Sequence, residues 1–166
     1  MKFKSLFRRR NISNTVKIRI FNCFVGSVFL YNSELWTLTL TKQREIDAFH
    51  RRLLRNLLNI RWPNKISNTK LYEITKAEAW SLTIKRRRLN WTGHMLRLPD
   101  DTPVKLALKE ALTPGRRPPG GQKLTWLKLV NQDLAPIQLR IEDPATRRLA
   151  HRRQDWRKAV RRAMSS

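Results

Sequence analysis

The sequence has few cysteines, few acidic residues and no long apolar run. Cys23 is the one cysteine among 166 residues. A single thiol excludes an intrachain disulfide framework and a multi-cysteine zinc module, and it fits a reducing compartment. The most apolar run, residues 20 to 31, is too short to span a bilayer, so we expect no membrane insertion.

The shortage of acidic residues leaves a large positive charge. Twelve Asp and Glu oppose 36 Lys and Arg, which gives a formal net charge of +24. A folded chain with that charge repels itself, and a polyanion would relieve the repulsion. Nucleic acid is the commonest such partner, and arginine favours phosphate because its planar guanidinium binds phosphate bidentately. The composition therefore predicts binding of RNA or DNA. A hydrophobic fraction of 40% and six tryptophans argue against disorder.

The first 19 residues contain several arginines and no acid. This composition is typical of a mitochondrial transit peptide, but it also fits a basic segment that precedes a buried helix. We favour the buried helix, and with it the nucleus or cytoplasm over the mitochondrion. On that interpretation Phe21, Phe24, Val25, Val28 and Phe29 should be buried against the next helix, around Phe49, Leu53 and Leu57.

Apolar periodicity predicts an all-α protein. The predicted helices are one capped by Ser13 or Asn14, one over 42–59 capped by Thr41, one over about 69–75 capped by Ser67-Asn68, and others over 78–97, 103–112, 124–134, and 143 to about 163. Residues 113–123, with three prolines and three glycines, are predicted to be a linker. The expected organisation is a helical domain over 1–112, this basic linker, and a smaller, more mobile basic helical tail over 124–166.

Asp100 and Asp101 are the one adjacent carboxylate pair with the look of a polymerase metal motif. No strand pattern flanks them, a basic helix precedes them and Pro103 follows, so the simpler prediction is that one of them caps the helix that begins near Pro103. The chain also lacks any Asp-x-Lys or Glu-x-Lys, which a common nuclease core requires. We therefore predict no catalytic residue and no activity for this chain alone.

The three histidines, His50, His94 and His151, are far apart in sequence and lack a cysteine pair that could complete a zinc site. They are predicted to be packed helix residues or phosphate contacts, so no metal and no cofactor is expected. Trp80, Trp91 and Trp156 could stack on bases, but their places on apolar stripes predict core positions instead.

Phosphate contacts are predicted at clustered basic residues. The candidates are Arg51, Arg52, Arg55, Lys85, Arg86, Arg87, Arg88, His94, Arg97, Arg116, Arg117, Arg152, Arg153 and Arg157. The linker segment GRRPPGG, residues 115 to 121, could enter a DNA minor groove or serve only as a flexible connection.

Six motifs occur in a distinctive order. They are ISNTVKIRIFN (12–22), LYNSELWTLT (30–39), FHRRLLRNLLNIRW (49–62), RRRLNWTGHMLRLPDD (86–101), GRRPPGGQKLTWLKLV (115–130) and HRRQDWRKAV (151–160). Together they resemble the C-terminal part of a LINE-type non-LTR retrotransposon reverse transcriptase, over nearly the whole chain. The resemblance implies a thumb and a basic tail that hold template–primer nucleic acid during RNA-directed DNA synthesis. The catalytic aspartates belong to the palm, which is then an expected partner domain, and the chain would be a truncated copy.

Some positions depart from that family. Asn32 stands where the family usually has glycine, and Leu35 where it has threonine; asparagine tolerates a left-handed backbone, so the turn can persist. The linker reads GRRPPGGQK and lacks the family's second Gly-Arg-Pro, which weakens the case for minor-groove contact.

Two other functions fit the composition: a helical DNA-binding protein of regulatory or chromatin type, and a mitochondrial or ribosome-associated protein with a basic leader.

Overall fold

A computed structural model describes residues 11–113 and 124–165, and these residues form an all-α protein without a strand in either range. The predicted fold class is therefore confirmed. The described residues divide into two compact units. Unit 1 contains residues 11–32 and 38–83, and unit 2 contains residues 33–37, 84–113 and 124–165.

Unit 1 begins with helix α1 (Asn14–Phe21), which continues through a π-helical turn (Asn22–Gly26) into a short α-helical turn (Ser27–Phe29). Helices α2 (Leu40–Leu57) and α3 (Asn68–Thr75) follow, and helix α4 (Trp80–Arg97) begins in this unit.

Side-chain oxygens cap three of these helices. Ser13 and Ser67 accept from the N–H groups of Val16 and Lys70, so both predicted caps are confirmed. The predicted cap of α2 at Thr41 is wrong. Thr39 accepts from the Lys42 N–H at 3.3 Å, and α2 therefore begins earlier.

The end of α2 also comes earlier than predicted. Asn59 adopts a left-handed backbone with a φ of 55°, and the N–H of Ile60 donates to the carbonyl of Arg55 at 2.9 Å. This six-to-one bond after a left-handed residue is a Schellman ending, and asparagine is one of the residues that permits it. Asn32 is left-handed as well, with a φ of 53°, a conformation that asparagine tolerates.

An aromatic stack built on Trp80 forms the centre of unit 1. The rings of Phe29 and His50 lie 4.5 and 4.4 Å from the Trp80 ring, and Phe21 is 3% exposed. Burial of the whole predicted apolar set is not observed, because Phe24 and Val28 are 58% and 75% exposed. Both follow the start of the π-helical turn, where the α-helical period used for the prediction no longer applies.

Unit 2 contains the rest of α4 and, among its described residues, four further α-helices. These are α5 (Pro103–Leu112), α6 (Trp126–Leu134), α7 (Pro144–His151) and α8 (Arg153–Ser165). The predicted single helix from 143 to about 163 is wrong, because the backbone leaves the helical region at Arg152, where ψ is 87°. Residues on both sides of 114–123 share one core, which contains Leu89, Leu96, Val130, Leu134 and Trp156.

The compact units therefore do not follow the predicted boundary at the linker. Contacts divide the chain within α4, between Thr83 and Ile84, and residues 124–165 belong to the same unit as residues 84–113. The physical reason is the apolar stripe of α8, in which Trp156, Ala159, Val160 and Ala163 are buried. That stripe needs an apolar partner, which α4 supplies.

Candidate nucleic-acid interface

Helix α4 lies antiparallel to α7 and α8 within unit 2. The Lys85 ammonium donates to the carbonyl of Ala163 at 2.7 Å near one end of the pair, and the Arg97 guanidinium donates to the carbonyl of Ala150 at 2.9 Å at the other. Between them, the Trp156 indole N–H donates to the carbonyl of Leu89 at 3.1 Å. These three bonds fix how α4 packs against α7 and α8.

Gly93 allows this close packing. A Cβ atom at that position would lie 2.2 Å from Nε1 and 2.5 Å from Cδ1 of Trp156, which is far inside van der Waals contact. Glycine is therefore required there because the indole crosses directly over the α4 backbone. A glycine inside a helix often marks the approach of another backbone, but the group that approaches Gly93 is a side chain.

Three guanidinium groups gather where α4 and α8 meet. Burial lowers the pKa of Arg97, and the positive charges of Arg153 and Arg157 lower it further. Arg153 and Arg157 are exposed one turn apart on α8, and among the described residues neither has a carboxylate within ion-pairing distance. The three positive charges repel one another, and a phosphate oxygen would relieve that repulsion through charge-assisted hydrogen bonds.

The exposed edge of α4 extends this cluster. Arg86, Asn90 and His94 are exposed, and their spacing of four residues places them with Arg97 along one face of the helix. We call the set Arg86, Asn90, His94, Arg97, Arg153 and Arg157 the basic face. Five of its six residues were predicted from the sequence. Asn90 was missed, although its i, i+4 relation to Arg86 and His94 was a readable signal.

Arg88 requires a correction, because it is an internal residue of unit 2. Its side chain is 3% exposed, its Nε lies 2.7 Å from Oδ2 of Asp133, and its Nη1 donates to the carbonyl of Trp36 at 3.1 Å. Burial raises the pKa of Asp133, and the charge of Arg88 opposes that rise. A guanidinium enclosed in this way cannot contact a phosphate. Lys85 is half-buried and Arg87 is half-buried, so neither matches the exposure of Arg86.

The three arginines of unit 1 that were predicted to contact phosphate differ in exposure and in the groups they contact. Arg55 donates from Nη2 to the carbonyl of Ile66 at 3.1 Å and to Oδ1 of Asn68 at 2.8 Å, and so it holds the loop between α2 and α3. Arg51 is half-buried. Arg52 is exposed, with its guanidinium carbon 5.4 Å from the centre of the Phe49 ring.

Two groups of predicted contacts remain. Arg152, between α7 and α8, is exposed, and its Nη1 lies 3.5 Å from Oδ2 of Asp155. Arg116 and Arg117 lie outside the described residues, as does the rest of the GRRPPGG segment. The fourteen phosphate contacts predicted from the sequence therefore do not form one surface: those that the structure describes differ in exposure and in their hydrogen-bond partners.

The predicted cap of α5 at Asp100 or Asp101 is wrong, and of the three histidines only His50 is packed, because His94 and His151 are exposed. Thr102, rather than Asp100 or Asp101, occupies the N-cap of α5, because its hydroxyl donates to the carbonyl of Pro99 and fixes the turn. Asp100 instead lies 3.6 Å from the Lys109 ammonium. His50 is buried in the aromatic stack. Within residues 11–113 and 124–165, no three His, Cys, Asp or Glu side chains lie close enough to hold a metal ion.

No protein-family model, no curated protein and no solved structure matches the chain. In the described part, every helix is too short or too polar to cross a bilayer. A functional assignment for this chain therefore depends on the basic face and on the order of its sequence motifs.

Proposed function

We propose that this chain binds nucleic acid through phosphate contacts on the basic face. The observation that supports this most directly is the proximity of the charges of Arg97, Arg153 and Arg157, with no carboxylate in ion-pairing distance of Arg153 or Arg157 among the residues that the structure describes. Guanidinium groups bind phosphate oxygens in pairs, and the binding releases condensed counterions from the nucleic acid. Since phosphate contacts carry no sequence information, the chain binds RNA or DNA with little sequence preference.

The wider proposal concerns the parent protein. The six motifs in order support origin in the thumb and post-thumb region of a LINE-type reverse transcriptase. In such a protein the basic face would hold the template–primer behind the palm, and the palm would supply the catalytic aspartates for RNA-directed DNA synthesis. On this proposal the chain alone binds nucleic acid and catalyses nothing.

Salt dependence tests the phosphate contacts. Arg153→Gln combined with Arg157→Gln should weaken binding to all sequences alike, and the slope of log affinity against log salt should become shallower by about two, since each lost contact removes roughly one counterion. Fluorescence anisotropy with labelled duplex RNA and DNA at several salt concentrations measures both quantities.

Lys70→Gln combined with Lys76→Gln is the matched control, because both residues are exposed in unit 1 and the double change removes the same formal charge. The control should preserve most of the slope. Equal slopes for the two double variants would show that the overall charge, rather than the basic face, determines binding. A salt-insensitive interaction would refute the proposed function itself.

A further inference from the structure

His94 has an exposed imidazole ring, which packs against the indole ring of Trp91 three residues earlier on α4. The centres of the His94 and Trp91 rings are 5.2 Å apart and their planes are tilted by 35°. Trp91 is half-buried and packs against the core of unit 2, whereas His94 is exposed. The indole therefore limits the movement of the imidazole, so that little conformational entropy remains to be lost when a ligand covers the ring.

The position of His94 within the basic face gives the ring a setting that a lone surface histidine lacks. Asn90 precedes it by four residues and Arg97 follows by three, and such neighbours on a helix surface are about 5–6 Å apart at their Cβ atoms. A nucleotide whose phosphate contacts Arg97 would place its base close to His94. Asn90 offers an amide donor and acceptor to the same base edge.

We propose that His94 stacks on an unpaired base, so that a strand with unpaired bases gains a contact at the basic face that a fully paired duplex lacks. The inference rests on the proposed function, since it requires a strand along the basic face. Paired bases are already stacked inside a duplex and expose only their edges, whereas an unpaired base offers its π-face to an aromatic side chain. Every base has such a face, so the gain depends on strandedness and not on sequence.

Substitution of His94 separates stacking from charge. In the full-length chain, His94→Ala should lower affinity for a short unpaired oligonucleotide by about tenfold, the effect of losing one stacked base, and should change affinity for the same strand annealed to its complement much less. His94→Phe should restore binding to the single strand because it keeps an aromatic face. His94→Lys should not restore it, because it supplies positive charge without a ring.

His151→Ala is the matched control, since His151 is also exposed in unit 2 but has no aromatic ring contact among the described residues. It should leave both affinities unchanged. Rescue by Lys but not by Phe, or an equal loss for single strand and duplex, would identify His94 as a phosphate contact and overturn the stacking proposal. The salt dependence of duplex binding by the unsubstituted chain would still test the proposed function independently.

Discussion

The two units differ in what they bury beside their apolar residues. Unit 1 encloses an imidazole, His50, in an aromatic stack and leaves its buried lysine, Lys17, 9% exposed, whereas unit 2 encloses two cations more fully, with Arg88 3% and Lys105 2% exposed. Each cation of unit 2 has acceptors: Arg88 contacts Asp133, and Lys105 donates to the carbonyl of Leu96 at 2.8 Å. A cation enclosed with its acceptors in this way cannot meet a polyanion. Arg153 and Arg157 are exposed instead, and neither has a carboxylate within ion-pairing distance in the part of the chain that the structure describes.

Lys105 is a buried cation whose acceptors are backbone carbonyl groups. Its ammonium lies among the last carbonyl groups of α4, where the helix dipole is negative, so one buried cation satisfies acceptors that the helix itself leaves unpaired. Burial nevertheless lowers the pKa of Lys105, with Arg147 adding to the decrease. Unit 2 thus tolerates buried charge by surrounding it with oxygen atoms.

The largest expected effect comes from removing an acceptor in unit 2. Asp133→Ala leaves the Arg88 guanidinium buried without its carboxylate, and should lower the free energy of unfolding by about 3–5 kcal/mol. Denaturant titration followed by far-ultraviolet circular dichroism measures the loss.

A double replacement serves as its control. Arg88→Met with Asp133→Leu removes both charges and fills similar volume, so stability should return close to that of the parent chain. If Asp133→Ala alone proved harmless, the buried pair would not be the reason that unit 2 tolerates Arg88.

The second-largest expected effect is a pH dependence of the free energy of unfolding, and it arises from His50 in unit 1. Burial lowers the pKa of His50 from 6.5 to about 4, while Asp47 opposes the decrease. Between these two pH values the unfolded chain binds more protons than the folded chain does. The stability that depends on a neutral His50 is therefore fully present above pH 6.5 and is lost as pH falls towards 4. The full loss is about 3 kcal/mol, since a tenfold change in proton affinity corresponds to about 1.4 kcal/mol.

Denaturant titrations across this pH range measure the effect. His50→Phe retains a ring that can stack on Trp80 but cannot accept a proton, so it should flatten the pH dependence. An unchanged slope in His50→Phe would assign the pH dependence to other groups.

Sequence reasoning predicted the helices well and the site only in part, for different physical reasons. Caps such as Ser13 and Ser67 are local, so their oxygens and the following period are visible in the sequence. The docking of Trp156 on Gly93 joins residues distant in the chain, and no local pattern encodes it. For the same reason the sequence could not separate the buried Arg88 from its exposed neighbour Arg86.

Glycine substitution compares the two units directly. Gly93→Ala should destabilise the protein by about 1–3 kcal/mol because the new methyl group collides with the Trp156 indole, even though alanine is the better helix former. Gly26→Ala is the matched control in unit 1, where the nearest atom to a new Cβ, Oδ1 of Asn22, lies at 3.9 Å. It should be neutral or slightly stabilising. Thermal unfolding of both variants decides the matter, and equal stability would mean that the indole can move aside at little cost.

The smallest expected effect concerns the carboxylate pair that most resembles a catalytic site. Asp100 and Asp101 are exposed, the contact of Asp100 with Lys109 is long and exposed to solvent, and neither side chain caps α5. Surface ion pairs of this kind contribute little, so Asp100→Ala with Asp101→Ala should change the free energy of unfolding by less than about 0.5 kcal/mol. Affinity for nucleic acid should stay the same or rise slightly, because two negative charges are removed. Primer-extension and nuclease assays on the purified parent chain complete the test: activity there that the double change abolished would contradict the proposal that this chain only binds nucleic acid.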